Sequence, residues 1–213
     1  MFEISLGAVL LGIFLVFWLW RHLWMLGGKL TPDEVDLLLS AIERQIPLPP
    51  QEQAQLLARL RAWAEADDGK PVYMFSFMRF YPQLRRLPGS VDFTGTPEAA
   101  NRLYEKKVTP LLFKHRGYPV VGGTTQGRNL MAEEPVLDDW SRALVVRYPS
   151  RRDFLHFMAD PAYGPLEPYK AMALKVVLVP VSGDVVLPDL RLIVGAGLLM
   201  LFLVAGWMRA VAG

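Results

Sequence analysis

The stretch VYMFSFMRF, Val72 to Phe80, decides the fold class. Aromatic and aliphatic residues occupy both alternating sets of positions, and no charge interrupts them before Arg79. Such a run reads as a β-strand with apolar groups on both faces. Downstream, Thr96, Pro97 and Glu98 open a helix that carries Leu103, Tyr104, Val108, Leu111 and Leu112, bends at Pro110 and stops at Gly117. Tyr118 to Val121 starts a second strand, which Gly122, Gly123 and Gly127 interrupt or bend. ALVVRY, Ala143 to Tyr148, is the third strand. Ser150 with Asp153 begins a second helix bearing Phe154, Leu155, Phe157 and Met158, broken at Asp160 and Pro161. A short helical turn, Leu166 to Ala173, leads to a last strand, Val176 to Val181.

The order β-α-β-β-α-β is the split βαβ arrangement of ferredoxin-like folds. It predicts an α+β domain over residues 70–183, with both helices on one face of a four-stranded antiparallel sheet. The opposite face is apolar too, so two copies are expected to close their sheets into a shared barrel, a homodimer of the dimeric α+β barrel type.

Upstream, residues 29–69 read as an amphipathic helical neck. Thr31, Pro32, Asp33 and Glu34 form a capping-box start, after which Val35, Leu38, Leu39 and Ile42 repeat at helical spacing. Pro47, Pro49 and Pro50 stop this helix. A second helix places Leu56, Leu57, Leu60 and Trp63 on one face and ends at Asp67, Asp68 and Gly69. The apolar face of the pair is expected to pack on the domain, the alternative being a surface for a membrane or a partner subunit.

Of 213 residues 52% are hydrophobic, and the excess sits at the two ends. Residues 4–20 and 192–208 contain no charge, which predicts membrane helices within residues 1–28 and 184–213. Arg21, Lys29, Arg191 and Arg209 flank the runs as snorkelling groups, and Trp18, Trp20 and Trp207 suit interfacial belts. The first run lacks a basic leading segment and a small-residue cleavage site, so it reads as an anchor in the lipid bilayer. Arg21, His22 and Lys29 on the domain side place the central domain in the cytoplasm of a bacterial inner membrane. The net charge of +2 and the scattered Lys and Arg argue against nucleic acid. The absence of cysteine excludes disulfides, thiolate catalysis and cysteine metal sites.

ALVVRYPSRRDFLHFMADPAYGPLEPYKAMAL, residues 143 to 174, resembles the strand-then-helix segment of the dimeric α+β barrel proteins in the domain-of-unknown-function 1330 family, with its Tyr-Pro-Ser turn and Asp-Pro helix break. The helix from Tyr104 to Gly117 and the strand YPVVGG are similar to the same family's first helix and second strand. The resemblance covers about residues 70–182. It implies the fold but no agreed reaction, since the wider superfamily holds cofactor-free monooxygenases, haem-handling enzymes, isomerases and plain ligand binders.

Candidate polar groups are few. His22 reads as an interfacial residue. His115 sits where a helix dipole favours an imidazolium, and His156 lies among Phe154, Leu155, Phe157 and Met158. Neither has a carboxylate at metal-ligand spacing on its own helix, and Asp153 and Asp160 read as a helix cap and a helix-ending Asp-Pro. Arg79 shares the alternating set of Tyr73, Phe75 and Phe77, so it either needs an anionic partner or is solvated at the strand end. Glu133, Glu134, Asp138 and Asp139 read as a solvated loop. GGTTQG lacks the lysine and the strand-to-helix setting of a phosphate loop, and no nucleophile elbow occurs. No cofactor and no metal site is expected. The leading expectation is a non-catalytic accessory or scaffold subunit of a membrane protein complex. The alternative is an enzyme or binder of a hydrophobic small molecule, monooxygenase-like or haem-handling, with Arg79, Tyr104, His115 and His156 as polar groups in a pocket between sheet and helices.

Overall fold

The computed structural model describes residues 2–24, 26–46, 48–86, 91–128, 130, 139–183 and 190–212. Pro47, Glu133, Glu134 and Asp138 lie outside the described residues. The strand read from VYMFSFMRF is β1 (Val72–Phe80), flanked in the sheet by β3 (Arg142–Tyr148) and β4 (Leu174–Val181), with β2 (Tyr118–Thr124) beyond β3. The order is β2-β3-β1-β4, and every neighbouring pair is antiparallel. β2 runs through Gly122 and Gly123, and its register shifts between Pro119 and Val121, a bulge rather than an end.

Seven helices accompany the four strands among the described residues: α1 (Phe2–Trp24), α2 (Pro32–Gln45), α3 (Pro50–Glu65), α4 (Pro97–Lys114), α5 (Arg151–Ala159), α6 (Glu167–Ala173) and α7 (Leu190–Ala212). Three begin on hydroxyl caps: Thr31 accepts from the Glu34 N–H at 3.3 Å, Thr96 from Ala99 at 3.2 Å, and Ser150 from Asp153 at 3.3 Å.

The alternation of β1 sorts its side chains cleanly. Val72, Met74, Ser76 and Met78 are buried, whereas Tyr73, Phe75, Phe77 and Arg79 point to the other face. On that face Val177 and Val179 of β4 stand opposite Phe77 and Phe75. Phe77 and Val179 stay 40% and 45% exposed. Among the described residues one face of the sheet is therefore covered and the other is a half-exposed apolar surface.

Residues 27–183 form one compact unit, and the segment read as a neck belongs to it. Val35, Leu38, Leu39 and Ile42 of α2 are buried in the same core as Val72 and Met74 of β1, Val108 and Leu112 of α4, and Leu155 of α5. Each such side chain contributes about 1.5–3 kcal/mol on burial, so α2 is structural core of the domain. Residues 1–26 and 184–213 make a second unit. In it the windows Ile4–Leu23 and Leu190–Val211, with mean hydropathy 2.0 and 2.1, are long and apolar enough to cross a membrane. α1 and α7 pack together. Phe14 lies where a side chain on Gly195 would point, with its ring 3.1 Å from the site of a Cβ, and Phe202 lies over Gly7 at 3.3 Å. An open cavity of about 310 Å³ is lined by these four residues and Leu10, Leu11, Leu198 and Leu199. Arg191 stacks over Trp18, 4.3 Å from its ring centre.

Candidate ligand pocket

A cavity of about 290 Å³ opens between the covered face of the sheet and helices α4 and α5. Strand register sets its floor in rows: Met78 faces Arg142, Ser76 faces Leu144 and Met74 faces Val146, with Tyr148 next along β3. The α4 wall comes from helical spacing, with Asn101, Tyr104, Glu105, Val108 and Leu112 on one side of the helix. Phe154, Phe157 and Met158 of α5, Tyr163, and Lys170 of α6 complete the lining.

One end of the cavity is aromatic. Tyr148 packs edge-on against Phe154 at 5.3 Å between ring centres, and Phe157 packs on Tyr163 at 4.9 Å. Burial pushes the phenols of Tyr148 and Tyr163 well above the ordinary 10, with the nearby Tyr104 adding to the effect. Both are therefore neutral phenols at physiological pH. The Lys170 ammonium lies 5.6 Å from the Tyr104 ring centre.

The chain behind this aromatic end explains a local departure from expectation. α4 ends in a Schellman turn: the Gly117 N–H donates to Leu112 O at 2.9 Å and the Arg116 N–H to Phe113 O at 3.0 Å. The left-handed position belongs to Arg116, at φ 61°, and not to the glycine. Gly117 is needed for close approach, since a Cβ there would lie 2.5 Å from Leu112 Cδ1 and 2.6 Å from Tyr148 Cε1.

The other end is polar. Arg142 Nη2 lies 3.0 Å from Glu105 Oε1. The same oxygen accepts from Asn101 Nδ2 at 3.0 Å, and Asn101 is 2% exposed. Arg142 Nε is buried and has no hydrogen-bond partner.

Of the four candidate ligand-binding residues Arg79, Tyr104, His115 and His156, Tyr104 alone is in the lining of the cavity. Arg79, on the open face, pairs with Asp139 at 3.4 Å and is one-third exposed. His115 caps α4, with Nε2 2.7 Å from Asp160 Oδ2 and its ring against Phe157 at 6.3 Å. Asp160, expected only as a helix-ending residue, also accepts from Lys114 at 2.6 Å and from the Ala162 N–H at 2.9 Å. Burial would raise its carboxyl, but these hydrogen bonds outweigh that and hold it at about 2. His156 Nε2 lies 2.8 Å from Glu34 Oε1, which also accepts from Arg152 at 2.6 Å. Both histidines thus have carboxylates, supplied by other elements, and both stand behind or beside the cavity wall as links between helices. The polar groups that do meet in the cavity, Asn101, Glu105, Arg142 and Lys170, carried one readable signal: Asn101 and Glu105 are spaced i, i+4 on the apolar side of α4. Among the described residues no cluster of three His, Asp or Glu could hold a metal ion. The lining is mainly apolar, with Asn101, Glu105, Arg142 and Lys170 among it, an arrangement able to take up an apolar body and orient a polar group.

No family model matches the chain and no curated protein does. Among solved structures, a protein of unknown function from Rhodopseudomonas palustris, solved in an untreated and a methylated form, is similar to it at 21% identity and a TM-score of 0.51, covering 68% of this chain and 98% of that one. A hydroxynitrile lyase from Passiflora edulis is similar at 19% identity with a TM-score of 0.35, covering 56% of this chain and 98% of its own. The first likeness shows a shared mixed α+β fold.

Proposed function

We propose that the central domain binds a small, largely apolar molecule in the cavity between its sheet and α4 and α5, and that the two terminal helices hold it at a membrane. The observation that carries this reading is the cavity itself: about 290 Å³, lined by Met, Leu, Val and aromatic side chains, with a few polar groups gathered at one end. The strand order with both long crossover helices on one face supports reading the domain as ferredoxin-like, in line with the resemblance of residues 143–174. The basic residues Arg21, His22 and Lys29 support a cytoplasmic domain on a bacterial inner membrane. Intact-protein mass spectrometry of the full chain in mild detergent tests the binding role. The expected result is a small-molecule adduct that the cavity-filling variant Leu144→Trp loses; an adduct that survives in that variant, or none in the wild type, overturns the reading.

A second reading, a scaffold that assembles through its sheet, is favoured by one specific observation. Phe75, Phe77, Val177, Val179 and Val181 form an apolar surface that the described residues leave partly uncovered, and a second copy presenting the same surface would bury it.

A further inference from the structure

The cavity is graded from charge to hydrocarbon along β3. Its helix-facing residues run Arg142, Leu144, Val146, Tyr148, a distance of about 20 Å at ~3.3 Å per residue. At the Arg142 end a guanidinium N–H is buried with nothing to donate to, a state that costs about 1–3 kcal/mol when left unsatisfied. Glu105 does not relieve it. Its Oε1 is held by Asn101 at 3.0 Å and faces Arg142 Nη2 rather than Nε. Charge points the same way: the ionised lining groups are Arg142 and Lys170 against Glu105, one positive charge in excess. The next acid, Glu167, is outside the lining, and its burial raises its carboxyl above the ordinary range. A ligand with one negative group would neutralise the excess and accept a charge-assisted hydrogen bond at the guanidinium.

Resting on the binding role argued above, we propose that the cavity selects a small lipophilic monocarboxylate, its carboxylate at the Arg142 guanidinium and its apolar body lying along β3 towards Tyr148. Asn101 and Glu105 are positioning residues that hold the guanidinium. The volume of about 290 Å³ lies at the small end of ligand pockets, which suits one ring with a short chain or a short aliphatic acid.

The test uses the full chain in phosphatidylcholine nanodiscs, titrated calorimetrically with 4-phenylbutyrate and with its neutral amide, against empty nanodiscs. The acid is expected to bind about tenfold tighter, the worth of one charge-assisted hydrogen bond. Arg142→Gln is expected to remove that preference. Glu105→Gln, which keeps the guanidinium and removes the competing anion, is expected to enlarge it, and decides the matter if the Arg142 variant does not fold. Equal binding of acid and amide overturns the monocarboxylate assignment and leaves the binding role standing. A preference unchanged or reduced by Glu105→Gln also overturns the assignment. Binding of neither compound overturns both.

Discussion

Arg116 Nε donates to Asp153 Oδ1 at 2.9 Å from a backbone held in the left-handed region. The pair joins the end of α4 to the first turn of α5, where Asp153 Oδ2 also accepts from the Ser150 hydroxyl at 2.7 Å. A left-handed arginine costs about 1–2 kcal/mol, so the ion pair offsets strain as well as linking two helices. Asp153→Ala, which leaves the backbone cap on Ser150 but strips the acceptor of the Ser150 hydroxyl and the guanidinium's partner, is expected to lower stability by about 2–4 kcal/mol in denaturant unfolding in detergent. Arg116→Gly, which loses the pair but relieves the strain, is expected to cost under about 1 kcal/mol by the same measurement.

Asp160 makes stability depend on acid. Its carboxyl is held at about 2 against an ordinary 3.8, so the folded state binds this proton less readily than the unfolded one. The contribution is fully present above the unfolded value and is lost as pH falls through the folded one. With Lys114 largely exposed, screening reduces the effect to about 1–2 kcal/mol. Asp160→Asn is expected to lose that much at pH 7, and the difference from wild type is expected to close as unfolding is followed from pH 4 down towards pH 2.

Local signals in this chain were legible and distant ones were not. Thr31, Thr96 and Ser150 announce their helices because a cap is read within three residues. The stop of α4 was readable as Gly117, yet the left-handed residue is Arg116, since what singles out the glycine is the proximity of Tyr148, far away in the sequence. The same distance hid the site. Arg142 stands just outside the stretch read as the third strand, and its partner Glu105 lies 37 positions earlier on another element. His156 meets Glu34 across 122 positions, so a reading confined to its own helix could find it no carboxylate.

Val179 tests the assembly that the open sheet face suggests. It is 45% exposed and sits opposite Phe75 in the middle of that face. The full chain in detergent is expected to show a dimer mass by light scattering, and Val179→Lys a monomer mass with an unchanged circular dichroism spectrum, because the side chain at 179 is half exposed on that face and a lysine can extend from it.

The notches of Gly7 and Gly195 carry a topological consequence. Each glycine receives the phenylalanine that lies seven residues beyond the other, so the two residue numbers in each contact add to the same total and the helices are related by an approximate two-fold axis through the cavity between them. In lipid, where apolar surface gains nothing by avoiding its solvent, such ring-into-notch packing is what favours association. The contact is indifferent to covalent connection: α1 of one molecule and α7 of another would meet on identical terms. The same four residues that close a hairpin in one chain thus provide everything needed for an exchange of helices between neighbours.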